Sequence, residues 1–390
     1  MVEKFLVDTP SLGISLLSVF IMLLGCTYDD NSGYIEKIEF DVNGFYSYSS
    51  NVAIDTTTFI SKLQGYKLRI PFCETTNSGS IIVGADLREG TTSDQTAISI
   101  GIVRSTDGGL TFGNQQIIMS HTNESEWDRV MDGTILVDRQ TGRVFVFAHS
   151  IKSIDRWEKT NKIGNYPFDC VYVYSDDDGL SWSEIHSFRD ILSVDDSAIV
   201  SVFGGVGHGI TMSDGTLVLP IQAKMANEDY PDHYNIQSGI AYSKDGGVTW
   251  RCESFLPCYS SECMAVEYEK GILMLNCRSY IGKRRVFTTD NLGKEWIPHI
   301  SDQSIIEPRA CQGTLHKIGR WGFFLNPQNE KTRSNLTLQL SDDFTSWHSI
   351  LELYQERSFG YSCLCNDGYN IYAVLETMGE SIVFYRIKQE

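Results

Sequence analysis

The chain has 390 residues, of which 42% are hydrophobic and 12% aromatic, a composition typical of a globular protein with a sizeable core. Its formal net charge is −18, with a pI near 4.8. Because binding a polyanion requires a basic surface, this charge argues against nucleic acid as a partner, and any site for an anionic ligand must gather its own cations.

The N-terminus carries an apolar run over residues 14–25, which is followed by Cys26. The run is too short to span a bilayer as a helix, but it suits the apolar region of a secretory signal. Leu-Leu-Gly-Cys at this point resembles the bacterial lipobox, which implies cleavage before Cys26 and lipid attachment to its sulfur. We therefore expect a lipoprotein-type signal peptide at 1–25 and an exported, periplasmic or outer-membrane lipoprotein that touches a membrane only through this anchor. A buried strand or a misassigned start codon is the alternative.

The remaining chain is expected to comprise an N-terminal tether and first strand at 26–60 and one domain at 61–390. Short apolar or alternating segments recur between turn residues throughout that domain, and no segment has a sustained helical period. This pattern predicts an all-β fold. The segment at 33–40 is expected to pair with the last strands.

One turn motif, Ser-x-Asp-x-Gly-x-Thr/Ser followed by an aromatic residue, recurs along the chain. In it, Asp accepts hydrogen bonds from the amides ahead of it, Gly supplies a positive φ, and the aromatic ring is buried where the next strand begins. Two copies are looser, because the fourth contains one inserted residue and the fifth lacks the glycine. The copies lie at residues 105–112, 175–182, 243–250, 288–296 and 341–347.

This turn resembles the Asp-box of the sialidase (neuraminidase) superfamily. The resemblance implies a six-bladed β-propeller. Because the box also occurs in propellers without enzymatic activity, a prediction of function depends on other residues.

Three arginines lie in strand and turn settings where a long cation is unexpected: Arg69, Arg278 and Arg333. Arginine is suited to planar, bidentate binding of a carboxylate. Their contexts resemble the arginine triad with which sialidases hold the C1 carboxylate of sialic acid.

A tyrosine and a glutamate match the family's nucleophile and its base. The segment around Tyr361 resembles that of the nucleophilic tyrosine, and the segment around Glu262 resembles that of its partner acid. The substrate already carries a carboxylate at its anomeric carbon, so a neutral phenol approaches where a second carboxylate would be repelled. Glu267 is the rival for the base, and Glu262 is preferred because the family places the base first.

Asp94 resembles the family's acid/base aspartate, which lies on a mobile loop after an Asp-x-Arg segment. It would protonate the leaving glycosidic oxygen and later activate water. Desolvation by a loop closing over the sugar would favour the protonated acid that the first step needs.

Supporting roles follow from the same resemblance. Arg88 and Asp132 match positions near the C4 hydroxyl of the sugar, and Glu376 matches the acid that orients the first arginine. Trp157 and Gln222 are expected to line the pocket for the N-acyl and glycerol groups.

Neither a metal nor an organic cofactor is expected, because the histidines lack ligand spacing and no Cys-x-x-Cys pair occurs. Besides Cys26 the chain has an odd number of cysteines, which therefore cannot all pair. Cys252 and Cys258 could close a loop in an oxidising compartment, and the sequence leaves this open.

Together these features predict a retaining exo-α-sialidase that acts on sialylated glycans or oligosaccharides. Two alternatives stay open: a non-catalytic carbohydrate-binding or assembly propeller, and a trans-sialidase that uses the same residues.

Overall fold

The computed structural model describes residues 52–60, 66–121, 129–151, 168–194, 199–225, 235–308, 310–378 and 381–389. These ranges contain 27 strands and no helix. Accordingly, no helix long and apolar enough to cross a membrane occurs within them. The predicted signal peptide, its Cys26 and Trp157 all lie outside the described residues.

The strands are numbered in chain order. The first fourteen are β1 (Val52–Ile60), β2 (Tyr66–Thr75), β3 (Ile81–Glu89), β4 (Ile98–Ser105), β5 (Gln116–Met119), β6 (Arg129–Val137), β7 (Val144–Ile151), β8 (Phe168–Ser175), β9 (His186–Ser187), β10 (Leu192–Val194), β11 (Ile199–Gly204), β12 (Gly207–His208), β13 (Ile210–Thr211) and β14 (Leu217–Met225). The others are β15 (Ile236–Ser243), β16 (Trp250–Cys252), β17 (Cys263–Glu269), β18 (Ile272–Cys277), β19 (Arg285–Thr289), β20 (Ile297–Pro298), β21 (Thr314–Ile318), β22 (Trp321–Pro327), β23 (Leu336–Ser341), β24 (His348–Tyr354), β25 (Ser362–Asn366), β26 (Ile371–Glu376) and β27 (Ile382–Gln389).

These strands form five hydrogen-bonded sheets in the described part of the chain. Three sheets have four strands each, in the orders β1-β27-β26-β25, β17-β18-β19-β20 and β21-β22-β23-β24. A six-stranded sheet contains β10, β11 and β13 to β16, and a nine-stranded sheet contains β2 to β9 and β12. Neighbouring sheets contact each other through the strand pairs β2–β25, β21–β25, β17–β21 and β14–β17, which gives a propeller-like arrangement.

The all-β prediction is confirmed, whereas the prediction of six blades is wrong. A parallel pairing of Ile98 with Arg129 joins β4 to β6, so that strands β2 to β9 share one sheet. The described strands therefore do not divide into six separate four-stranded sheets.

The first and last described strands pair with each other. Strand β1 lies antiparallel to β27, from Val52 opposite Gln389 to Ile60 opposite Ile382. This pairing joins the two ends of the described chain within one sheet. The segment at 33–40, which is expected to make such a pairing, lies outside the described residues.

The core lies between neighbouring sheets. One apolar cluster joins Phe323 and Leu338 of one sheet to Leu364 and Val383 of the next. Strands are covered on both faces in the interior, and all eight residues of β7 are buried. This burial explains why interior strands consist of continuous apolar runs rather than strict alternation.

The Asp-box turns share one hydrogen-bond pattern. In the third copy, the Asp245 carboxylate accepts from the Thr249 amide at 2.9 Å and from the Thr249 hydroxyl at 2.6 Å. Ser243 Oγ accepts from the Gly247 amide at 2.9 Å, and the Trp250 ring is buried. The copies at 105–112 and 175–182 repeat the pattern.

The fourth copy keeps this geometry with substituted residues. Thr289 and Asn291 take the places of Ser and Asp, and Asn291 Oδ1 accepts from the Glu295 amide at 3.0 Å. The turn therefore spans 289–296 without an insertion, and the predicted extra residue between Asp290 and Trp296 is wrong.

Replacing Asp245 by Ala is expected to lower the free energy of unfolding by about 1–2 kcal/mol, because the Thr249 amide and hydroxyl both lose their acceptor. Asp245→Asn is expected to cost less, since Asn291 serves as the acceptor in the fourth copy. Urea unfolding measures both losses of free energy, provided that the variants keep the m-value of the wild type. Equal losses in the two variants would show that the charge, rather than the acceptor, holds the turn.

Candidate active site

A cavity of about 450 Å³ collects residues from all along the chain. Eight of the ten described residues predicted for the site line it, namely Arg69, Asp94, Asp132, Gln222, Glu262, Arg278, Arg333 and Tyr361. The other two, Arg88 and Glu376, are fully buried and lie behind its wall.

Tyr361 lies immediately before β25 and is only 6% exposed. Its hydroxyl donates a hydrogen bond to Glu262 Oε1 and accepts one from Arg278 Nη1 at 2.8 Å. Burial raises the pKa of the phenol well above its usual value, although the neighbouring Arg278 and Arg333 act to lower it. The resting phenol is therefore protonated and can pass its proton directly to the Glu262 carboxylate.

The β17–β18 hairpin places Glu262 beside Arg278. Cys263 pairs with Cys277 across the hairpin, so the residues just outside this pair are neighbours. Arg278 Nη1 donates to Glu262 Oε2 at 2.6 Å, and the Arg278 amide donates to the Glu262 carbonyl at 2.9 Å. The Arg278 Nε is buried and has no hydrogen-bond partner among the residues that the structure describes.

Glu267, the rival base, is engaged elsewhere. Its carboxylate accepts from the Ser213 amide at 2.7 Å, the Ser213 hydroxyl at 2.8 Å and the Gly271 amide at 2.8 Å. It does not line the cavity. The geometry therefore favours Glu262 as the proton acceptor for Tyr361.

Glu376 fixes two parts of the site at once. Its Oε1 accepts from Arg69 Nε at 2.8 Å and from the Ile70 amide at 2.6 Å, while its Oε2 accepts from the Tyr361 amide at 3.2 Å. Ile70 has a φ of 55°, which is strained for a β-branched residue, and it lies where the β2–β3 register shifts. This irregularity and the buried carboxylate together set the direction of Arg69.

The third arginine is held by backbone carbonyls. Arg333 Nη1 donates to the Phe359 carbonyl at 2.7 Å, and its Nη2 donates to the Ala310 carbonyl at 2.6 Å. The Cζ atoms of Arg69 and Arg333 lie 5.6 and 5.5 Å from the centre of the Tyr361 ring. With Arg278 on the hydroxyl, three cations surround one phenol and form a local anion site in an acidic protein.

Asp94 lies on the loop between β3 and β4, and its side chain is 65% exposed. Arg88 Nη1 donates to its carboxylate at 2.5 Å, and Arg88 also pairs with the buried Asp86 at 2.8 Å. Burial raises the pKa of Asp86 to about 6, against the opposing effect of Arg88. Arg88 is itself buried and does not line the cavity, so it anchors the Asp94 loop from behind the cavity wall, and its role near the sugar stays a prediction.

Asp132 lines the cavity from β6, where the β6–β7 register shifts between Met131 and Thr134. Its φ is 61°, which aspartate tolerates better than most residues, and its amide donates to Asp86 Oδ1 at 2.9 Å. Burial raises the pKa of Asp132 well above its usual value, and repulsion by Asp86 and Glu262 adds to this. A protonated Asp132 can donate a hydrogen bond to a sugar hydroxyl.

Several cavity residues have no motif that would have identified them in the sequence: Arg129, His149, Phe203, Tyr259 and Tyr280. Arg129 Nη1 donates to the Asp94 carbonyl at 2.8 Å, and the ring centres of Tyr259 and Tyr280 lie 4.6 Å apart. The His149 ring stacks on Phe203 at 4.3 Å, and burial lowers its pKa to about 3. His149 is therefore neutral at physiological pH.

Gln222 lines the cavity, and its Nε2 donates to the Gly204 carbonyl at 3.0 Å. Cys252 and Cys258 are both thiols. No group of three or more His, Cys, Asp or Glu residues suited to a metal ion occurs among the residues that the structure describes.

Comparison with known proteins identifies one matching family and several similar chains. The family described as "BNR repeat-like domain" matches residues 75–368. A sialidase of Clostridium perfringens is 30% identical over 333 residues, covering 80% of this chain and 86% of the relative. A sialidase of Bacteroides fragilis is 32% identical over 320 residues, covering 76% of this chain, which spans only 57% of that relative's length.

Two solved structures are also similar to this chain in their three-dimensional fold. A Hadza microbial sialidase superposes with a TM-score of 0.76 at 33% identity, covering 83% of this chain and 66% of the other. Trypanosoma rangeli sialidase in complex with sialic acid superposes with a TM-score of 0.70, covering 87% of this chain and 58% of the other. Its identity of 22% supports a shared fold alone.

Proposed function

The chain belongs to the sialidase family, and from this premise we propose that it is an exo-α-sialidase that removes terminal sialic acid from glycans with retention of configuration. The observation that carries the proposal is the environment of one phenol. The Tyr361 hydroxyl bonds to both Glu262 and Arg278, within reach of two further guanidinium groups. A protonated phenol with a carboxylate as proton acceptor and three arginines around it is suited to binding and attacking an anionic sugar.

Binding begins with the carboxylate of the sugar. Arg69, Arg278 and Arg333 all line the cavity around Tyr361, and guanidinium groups bind carboxylates with two parallel hydrogen bonds. Since the chain carries a net charge of −18, this cluster supplies the local attraction that the overall surface lacks. By holding the carboxylate, the same three guanidinium groups would position the anomeric carbon opposite the Tyr361 oxygen for the transition state.

In the first chemical step, the Tyr361 oxygen attacks the anomeric carbon while its proton passes to Glu262. The bond to the leaving oxygen breaks as Asp94 donates a proton to it. The product is a glycosyl-tyrosine, a neutral aglycone alcohol and an ionised Asp94.

In the second step, Asp94 accepts a proton from water, whose oxygen attacks the anomeric carbon and displaces Tyr361. Glu262 returns its proton to the phenolate, and all three side chains regain their starting states. Two inversions at one carbon give net retention.

Incubation with α2,3- and α2,6-linked sialyllactose tests the proposal. We expect free sialic acid and lactose, with the α-anomer as the first product by proton NMR. Binding of either trisaccharide without release would leave only the non-catalytic alternative. Added lactose that becomes sialylated in preference to hydrolysis would instead indicate a trans-sialidase.

We also propose that the protein is an exported bacterial lipoprotein anchored through Cys26. The support is the apolar run at 14–25 followed by Leu-Leu-Gly-Cys. Expression in a Gram-negative host with a labelled fatty acid is expected to label the wild type and to leave Cys26→Ser unlabelled. Equal labelling of both proteins would exclude this cysteine as the attachment site.

A further inference from the structure

A fully buried ion pair lies next to the arginine cluster without lining the cavity. Arg284 and Glu307 are 0% and 1% exposed, and Arg284 Nη1 lies 2.8 Å from Glu307 Oε2. Desolvating such a pair is costly, and well-packed apolar residues in its place are often as stable or more so. Stabilisation of the fold is therefore a weak explanation for why this pair is buried here. Its other contacts suggest a second role.

On one side, the pair forms hydrogen bonds with the residues that flank Arg278. Arg284 Nε donates to Asn276 Oδ1 at 2.7 Å, and its Nη2 donates to the Asn276 carbonyl at 3.2 Å. Glu307 Oε1 accepts from the Ser279 amide at 2.9 Å. The backbone is thus held before and after Arg278, at the point where it leaves β18.

On the other side, the pair holds the segment at 310–312. Arg284 Nη1 donates to the Cys311 carbonyl at 2.8 Å. The preceding carbonyl, of Ala310, accepts from Arg333 Nη2 at 2.6 Å. The next residue, Gln312, exchanges two hydrogen bonds of 3.0 Å with the backbone of Ser362, the neighbour of Tyr361.

One guanidinium therefore joins the backbone supporting Arg278 to the backbone supporting Arg333. We propose that Arg284 and Glu307 are positioning residues that set the separation of these two arginines, so that both can hold one carboxylate. This inference rests on the proposed function, because it assigns the pair to capture of the sugar carboxylate. A misplacement of about 1 Å in such a site can cost about 100-fold in rate.

The test uses the full chain and compares two ligands. One is 2-deoxy-2,3-didehydro sialic acid, which carries the carboxylate, and the other is its analogue reduced to a hydroxymethyl group at C1. In Arg284→Lys, which keeps the charge but loses the planar fork, we expect the Kd for the acid to rise about 10- to 100-fold. The Kd for the alcohol should change less than about twofold, because the alcohol does not use the arginine pair.

Arg285→Lys is the matched control. Arg285 is the adjacent residue, pairs with Asp302 at 2.9 Å and does not line the cavity. We expect the Arg285→Lys variant to bind both ligands with the same Kd as the wild type. The double variant Arg284→Met/Glu307→Leu removes the pair without leaving a buried charge and should show the same selective loss as Arg284→Lys.

The outcomes separate the two proposals. If the wild type binds the acid, and Arg284→Lys and the double variant bind it equally well, the positioning role is overturned while the proposed function stands. An equal loss for acid and alcohol would also overturn it, since general damage to the cavity produces that result. A wild type that binds neither ligand would overturn the proposed function, and the positioning role with it.

Discussion

Tyr361→Phe is expected to fold normally and to lose roughly 10³- to 10⁶-fold in kcat on sialyllactose, the range seen when a nucleophile is removed. The ring stays, and it packs with Ile70, Val206 and Cys311, so the loss is confined to the hydroxyl. Without that oxygen no glycosyl-enzyme bond can form. Single-turnover kinetics together with a melting curve measure both parts of the expectation.

A second buried tyrosine provides the control. The Tyr385 hydroxyl donates to the Leu353 carbonyl at 3.1 Å and lies outside the cavity lining. Tyr385→Phe should lose about 1 kcal/mol of stability and no turnover. Wild-type turnover by the Tyr361 variant would exclude this residue as the nucleophile and would remove the main support for the mechanism.

Asp94→Asn is expected to reduce kcat on sialyllactose by about 10²- to 10⁴-fold, because the lactose oxygen needs a proton to leave. On 4-nitrophenyl sialoside the first step should be nearly unaffected, since that leaving group departs as a stable anion. Pre-steady-state release of nitrophenol isolates this step. The later reaction with water should still be slow, because Asp94 is also the base.

Asp107→Asn is a matched substitution in the first Asp-box turn. Asp107 accepts from the Thr111 amide at 2.9 Å and does not line the cavity. Its turnover on both substrates should equal that of the wild type. If Asp94→Asn slows both substrates equally in the first step, Asp94 acts in binding rather than as the acid.

The five Asp-box turns show what local sequence predicts well. Each turn closes on itself through contacts within about eight residues, so its geometry follows from side chains that are close in the chain. Even here the predicted start of the fourth copy is wrong by one position, because Thr289 and Asn291 replace the usual Ser and Asp. The chemical equivalence of Asn and Asp as acceptors is invisible to a search for an exact motif.

The number of sheets lies beyond such local reasoning. Periodicity predicts strands, but whether two hairpins share a sheet depends on pairings between their edges. The single pairing of Ile98 with Arg129 joins two groups of strands, and neither residue carries a signal for it.

The cavity residues also divide into those that a local motif identifies and those that only the fold brings together. Arg69, Arg278, Arg333, Glu262 and Tyr361 were identifiable because each lies in a short segment that resembles a family motif. Arg129, His149, Tyr259 and Tyr280 lie in segments with no such motif, and only packing brings them to the wall.

The sequence by itself determined the turns, the all-β class and the residue types needed to bind and attack an anionic sugar, because these depend on side-chain chemistry and near neighbours. Only the tertiary structure decided that Arg278 bridges Glu262 and Tyr361, that Arg88 lies behind the cavity wall, and how many sheets the described strands form. The physical reason is that the interacting residues lie far apart in the chain. Hydrogen bonds across 99 residues, as between Tyr361 and Glu262, and between Glu376 and Arg69 across 307, follow from the packing of sheets and leave no periodic trace in the chain.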